Sequence, residues 1–398
     1  MSATSLRTRG LNEPMRPEHT AVVELAKVPW DHTWQSDQDI AAGLAARGFR
    51  VVFVNPMPGQ VPPLRDLPRM AALWLGRPGL AGQARQPRSE GVAILRAPFL
   101  PDTNAVFRLV NARLLVGRFA ARVRQLMQGA QHLVVLTGLP FPTPMALTRH
   151  LDPDLLVYAC FTNWAGAGQP RRKVLREGEL LRQAALVVTN SPLLYERLKH
   201  QHPCVRQWPG SVDSHFLALA STAEVVASHR DLPLCCYYGS VRPAKIDLDL
   251  LAKVSERYAL RLVGPVRGDL PPLGPNGELR GMVAHQEAPL HLRDVDVLVL
   301  PYLLGDLTST VMPAKLFECL ATGRPIVSTR LPSLEPYANL LYLSDSHAEF
   351  LQNIERALHE PAQRRDERIR IAGENTTDRW MDALSAWIME APCHRSVR

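Results

Sequence analysis

The sequence predicts an α/β protein built from two Rossmann-like, doubly wound domains. Three observations predict it. The chain has 398 residues, 46% of them apolar, which is long for one hydrophobic core and normal for two. Residues 21–55 read strand, loop, helix, strand, a βαβ unit of the kind that opens a parallel sheet. A second alternation of buried-strand and helical patterns starts near Leu234 and includes a loop, helix and strand at 306–330. The expected organisation is a disordered tail over 1–20, a first domain over 21–210 and a second over 211–375. A last helix is expected over 376–391.

Composition narrows the class. No run reaches the roughly 18 apolar residues of a membrane span. The polar start with Arg7, Arg9 and Arg16 does not read as a secretory leader. Six cysteines, at 160, 204, 235, 236, 319 and 393, show no CxxC or metal spacing. They read as reduced thiols of a cytoplasmic protein, with no bound metal and no cofactor. Residues 1–200 carry a net charge of +11 and residues 201–398 a net charge of −3, within the overall +8. A basic half beside an acidic half suggests two domains with different partners. For the basic half these are an anionic membrane surface, a phosphorylated acceptor or nucleic acid. No helix-turn-helix, zinc or RNA-binding signature is present, so no nucleic-acid partner is expected.

Along the first half, Ala21–Val28 reads as a strand, 36–47 as a helix stopped by Gly48, and Arg50–Asn55 as a strand. The loop between the first strand and helix carries Trp30, His32 and Trp34, where ligands sit in doubly wound sheets. These residues either contact an acceptor or pack an inter-domain face. Residues 58–91 are rich in Pro, Gly and Arg, with a short helix expected over Leu67–Leu75. Asn104–Met127 reads as one basic amphipathic helix, suited either to an anionic membrane or to core packing with a solvated basic face. His132–Thr137, Leu155–Cys160 and Leu186–Asn190 read as buried strands, and 171–184 as a charged helix.

In the second half, Leu234–Gly239 reads as a strand, followed by the loop SVRPAK (240–245) and a helix over Asp247–Tyr258. Arg261–Gly264 and 294–301 are further strands, with a short helix from His285 to Arg293. Residues 306–330 read DLTSTVMPAKLFECLATGRPIVSTR. Pro313 suits a first helical turn. Leu316, Phe317 and Leu320 have helical spacing, and Gly323 fits the position that ends a helix. A free helix N-terminus near Met312, Pro313 and Ala314 has the capacity to bind a phosphate. Glu318 in mid-helix faces either solvent or a ligand.

The segment from Glu318 through Ala321, Gly323, Pro325 and Ile326–Val327 resembles the donor-site helix of GT-B glycosyltransferases, family 4 in particular. The run AALVVTNSPLLYERL and the WPGSVD stretch at 208–213 resemble the passage between that family's two domains. The resemblance covers about residues 20–390. It implies two domains across a cleft and sugar transfer from a UDP- or GDP-sugar to a lipid-linked or glycan acceptor. It also implies retention of configuration, no protein nucleophile and no metal. By resemblance, Lys245 and Glu318 carry the chemistry. Lys245 and Arg242 hold the diphosphate beside Gly239 and Ser240, and Gly281 and Val283 pass the nucleobase. Glu318 holds the ribose, Thr310 faces the sugar, and Trp30, His32 and Trp34 lie on the acceptor side. Relatives have arginine at Ser240 and glutamate at Thr310. Where relatives have aspartates, this chain has Ala159, Thr162 and Asn163. Those departures leave open a catalytically silent partner protein. A GT-B nucleotide-sugar epimerase shares the fold, but it needs acidic groups in the cleft, which Ala159, Thr162 and Asn163 do not supply. The implied setting is cell-surface polysaccharide biosynthesis at the inner face of the plasma membrane, with a peripheral contact through the basic domain.

Overall fold

The computed structural model describes residues 15–31, 34–56, 89–164, 170–221, 231–270, 272–274 and 276–391. Two parallel sheets carry the fold. The first contains β1 (Thr20–Leu25), β2 (Arg50–Asn55), β3 (Val92–Arg96), β4 (His132–Thr137), β5 (Leu155–Cys160), β6 (Leu186–Thr189) and β7 (Val205–Gln207), in the order 3-2-1-4-5-6-7. The second contains β8 (Leu234–Tyr238), β9 (Ala259–Val263), β10 (Gly277–Gly281), β11 (Val297–Leu300), β12 (Ile326–Thr329) and β13 (Tyr342–Ser344), in the order 10-9-8-11-12-13. Counted from its own first strand, the second is the Rossmann order. Helices cover both faces, so β1 and β5 are buried along their whole length, as parallel sheets require.

Each sheet reverses direction at a switch point, between β1 and β4 in the first and between β8 and β11 in the second. Crevices form there at the carboxyl ends of the strands. The loops after β1 and after β8 emerge from those two crevices and face one another.

The sequence expectations need several corrections. Residues 15–20 are no loose tail. Met15 is buried in the first domain's core, residues 17–19 form a 3-10 turn, and Thr20 opens β1. The Thr20 hydroxyl donates to the Arg16 carbonyl at 2.7 Å and fixes the approach. The 104–127 helix is interrupted. Ala105–Val110 and Val116–Leu126 are α-helical, and Asn111–Leu115 between them is a π turn. The buried Asn111 amide explains the widening. It accepts from the Leu100 amide and donates to the Leu100 carbonyl and the Thr143 hydroxyl, at 2.8–3.0 Å. Such bulges re-aim a side chain at little cost to the helix. The expected helix over Leu67–Leu75 lies outside the described residues.

The helix Ser36–Ala46 is held by a capping box between Gln35 and Gln38, with Asp37 and Asp39 in its first turn complementing the helix dipole. The last helix, Thr377–Glu390, lies against it. Met381, Leu384 and Ile388 are buried among Val22, Ile40 and Leu44 in the first domain's core. A Cβ on Gly43 would meet Met381 Cγ at 2.2 Å, so the helices touch where the side chain is missing. The chain crosses between the sheets at two points that pair with each other. The Val212 amide donates to the Asn375 carbonyl at 3.0 Å, and the Thr377 amide donates to the Val212 carbonyl at 2.9 Å.

Met381→Ala should therefore destabilise the protein by about 2–5 kcal/mol, the usual cost of emptying a fully buried site. Urea unfolding followed by circular dichroism measures it, and a change below about 0.5 kcal/mol would show that the helix is only loosely docked.

Candidate functional site

The site is built where the two crevices meet. From the second domain, β8 is followed by Gly239 and β9 by Gly264, with φ of +153° and +137°. A Cβ on Gly264 would lie 2.0 Å from the Gly239 carbonyl oxygen, so only glycine allows the two strand ends this close. Above them, Trp34, Tyr238, Gly239, Val263, Gly264, Met282, Val283 and His285 line a shallow cleft that opens to solvent. Gly281, at the end of β10, has φ +68° and open space where a Cβ would point.

Three cations converge at the mouth of this cleft. Arg242 is half-buried, and its Nε donates to Ser240 Oγ at 3.4 Å. The surrounding protein, then Arg267, hold its guanidinium below its ordinary value. The cleft walls, then Arg242 and Lys27, do the same to the Lys245 ammonium. Lys27 belongs to the first domain, in the loop after β1, and lies over the Phe161 ring at 4.6 Å. Among the described residues, none of Lys27, Arg242 and Lys245 forms a salt bridge. A lysine crowded by two further cations, as Lys245 is by Arg242 and Lys27, is suited to an anion.

Behind them lies a buried ion pair. Glu318, 6% exposed at its side chain, sits in the short helix Leu316–Ala321, and Lys315, 9% exposed, caps that helix. Lys315 Nζ donates to Glu318 Oε1 at 2.8 Å and to the Trp34 carbonyl of the first domain at 3.0 Å. It also lies 5.3 Å over the Tyr238 ring. Glu318 Oε2 is buried without a hydrogen-bond partner. The helix begins two residues later than expected, so Pro313 and Ala314 stand in the turn that precedes it.

The remaining expected residues fall as follows. Met312 is buried in the second domain's core, which leaves only its backbone for a ligand. Thr310 is half-buried in the 306–310 turn. Trp30 is buried under the first sheet's edge. Trp34, expected on the acceptor side, stacks on His285 of the second domain, with ring centres 5.6 Å apart and planes 16° apart. His32 lies outside the described residues.

No family model matches the chain. It is similar to a protein of Bacillus subtilis (strain 168) whose name assigns it to teichuronic acid biosynthesis as the glycosyltransferase TuaH. Identity is 24% over 247 residues, which covers 55% of this chain and 62% of that one. The chain thus matches less than two thirds of that relative's length. Among solved structures, Anabaena Alr3699/HepE in complex with UDP and glucose superposes with a TM-score of 0.60 at 12% identity. The match covers 94% of this chain and 99% of that one. The fold is GT-B. WaaG, a glycosyltransferase involved in lipopolysaccharide biosynthesis, is similar over 93% of this chain and 99% of its own, with a TM-score of 0.57 at 11% identity.

In this GT-B cleft, sequence reasoning passed over four groups. Lys27 and Lys315 act across the domain boundary, which no local pattern reveals. His285 is held by Asp213, whose Oδ2 lies 2.6 Å from its Nε2. Against the cost of burial, that contact and the Phe216 amide keep Asp213 below its ordinary value. Asp39 accepts from the Trp34 indole N–H at 2.6 Å. Burial pushes its carboxyl up to about 6, against the pull of Trp34, His285 and Lys315 toward the ionised form. Deeper in, burial and the charge of Asp37 drive Glu24 well above its ordinary value.

The Asp39 shift has a sign. A carboxyl with a raised folded value binds more protons folded than unfolded between about pH 4 and pH 6, so its contribution to stability falls across that window. Asp39→Asn keeps an acceptor for the indole and removes the titration. The variant should melt with the wild type near pH 4 and above it at pH 7. Equal melting temperatures at both values would exclude a raised Asp39.

Proposed function

We propose that the protein is a glycosyltransferase that moves a sugar from a nucleoside-diphosphate donor to a lipid-linked or polysaccharide acceptor, with retention of configuration. The observation that carries the proposal is the nearness of Arg242 and Lys27 to Lys245, none salt-bridged among the described residues, together with a buried Glu318 carboxylate that has one oxygen without a hydrogen bond. A nucleoside diphosphate presents the matching groups, two phosphates and a ribose diol. The space lined by Gly239, Gly264, Met282 and Val283 would take the base.

The chemistry follows from charge. The bond between the anomeric carbon and the diphosphate oxygen breaks, and that oxygen keeps the electron pair. The acceptor hydroxyl oxygen bonds to the same carbon, and its proton leaves on the departing diphosphate. Lys245 and Arg242 stabilise the growing negative charge, a contribution largest in a cleft that excludes water. Glu318 holds the ribose and Thr310 faces the sugar.

UDP and glucose bound to HepE support a nucleotide-sugar donor, and the names of TuaH and WaaG support a role in polysaccharide biosynthesis. No helix among the described residues is long and apolar enough to cross a membrane. The basic first domain, with Arg113, Arg118 and Arg122 exposed on its 116–126 helix and the turn before it, would meet an anionic membrane surface peripherally at its cytoplasmic face.

Calorimetry with UDP, GDP, ADP and dTDP tests the donor site. One nucleotide should bind, and Lys245→Ala and Glu318→Ala should each weaken it by roughly 1–3 kcal/mol, the range for charged hydrogen bonds. Absence of binding at millimolar concentration of all four would overturn the donor site.

A further inference from the structure

We propose that Lys315 is a positioning residue that ties the Glu318 carboxylate to the first domain, so that ribose recognition depends on the Trp34 loop being seated. Glu318 is taken here as the ribose carboxylate of the donor site, and the coupling depends on that role.

The geometry of the pair is the starting point. Both side chains are more than nine-tenths buried. A buried ion pair stabilises a fold poorly unless further hydrogen bonds satisfy both ions. Here the cation is satisfied and the anion is not. Lys315 Nζ spends one donor on Glu318 Oε1 and a second on the Trp34 carbonyl, 281 residues away in sequence. The Tyr238 ring covers another side. Glu318 Oε2 has no partner. Lys315 thus fixes one carboxylate oxygen and leaves the other without a hydrogen bond, with the Tyr238 hydroxyl a further neighbour of the carboxylate.

The Trp34 carbonyl is itself held from three directions. Its ring stacks on His285, which Asp213 anchors. Its indole N–H donates to Asp39. Its edge meets Trp30 at 5.8 Å, and Trp30 in turn meets Phe53 at 5.1 Å in the first domain's core. When the loop is seated, the ammonium has one place to sit and Oε1 is pinned. When the domains part, the ammonium loses its first-domain partner and water reaches the pair. Glu318 is then free to turn. Coupling of this kind is reciprocal, so a ribose on Oε2 favours the seated loop as much as the loop favours the ribose.

The probe is the ribonucleoside diphosphate that the wild type binds, UDP or GDP, compared with its 2′-deoxy counterpart by calorimetry. The wild type should prefer the ribonucleotide. Lys315→Met should weaken it about tenfold, a typical coupling strength, and bring the two affinities close together. Lys315→Arg, which keeps the charge, should recover part of the preference and stands in if the methionine variant does not fold. Trp34→Ala leaves the ion pair intact but frees the loop, and it should also reduce the preference. Adding Lys315→Met to Glu318→Gln should cost little beyond Glu318→Gln alone. A Lys315→Met protein with wild-type affinity and ribose preference sinks the positioning role, and an unchanged preference in Trp34→Ala sinks its link to the first domain. A wild type that binds no nucleoside diphosphate instead sinks the donor-site reading itself.

Discussion

Two parallel sheets place all their carboxyl ends on single edges, and everything else in this molecule depends on those edges being held face to face. The clasp that does so is small. It consists of the Trp34 ring on His285 and the Lys315 bridge to the Trp34 carbonyl. A stacked pair contributes about 0.5–1.5 kcal/mol and a charge-assisted hydrogen bond about 1.5–3 kcal/mol. The total, about 2–4.5 kcal/mol, lies at or below the roughly 4–8 kcal/mol of millimolar to micromolar binding. The clasp is thus strong enough to define a resting arrangement and weak enough for a bound molecule to shift it.

The cleft concentrates opposing electrostatics within a short span. On the side of Lys245 and Arg242, cations crowd one another and form no salt bridge among the described residues. On the side of Glu24 and Asp39, carboxyls are driven toward the neutral form by burial. Neither group would persist if folding alone selected the residues, since each is costly to the folded state. Strain of this sort is expected where local rules give way to a site. Lys27 and Lys315 stand between the two sides, one facing the cations and one facing the carboxyls.

How much of this was legible in the sequence depended on burial. The strands inside each sheet, such as Leu155–Cys160 and Val297–Leu300, announce themselves as apolar runs because helices cover both faces. All four edge strands escaped the reading: Val92–Arg96, Val205–Gln207, Gly277–Gly281 and Tyr342–Ser344. Two of them, Val205–Gln207 and Tyr342–Ser344, have only three residues, and GELRG carries a strand on hydrogen bonds rather than on apolar side chains. The second domain's site loops drew attention because Gly239 and Lys245 fall in one local pattern and Glu318, with Gly323 and Pro325, in another. Lys315 was not, although it is three residues from Glu318. Its meaning lies in a carbonyl contributed by another domain. Trp34 was noticed for its loop, either as an acceptor contact or as packing between domains. Its seat on His285 was not legible, because a sequence shows where a loop starts and not which wall it leans on.

The docking of Thr377–Glu390 on Ser36–Ala46 has a consequence for the order of synthesis. The first domain's strands emerge early, yet the groove beside Gly43 has no filler until Met381 has been made. The whole second sheet can pair in the interval, because its strands all precede residue 345. Contacts of such long sequence separation form late. The half of the molecule translated first is therefore completed last, and the cleft between the two halves takes its resting shape only at the end.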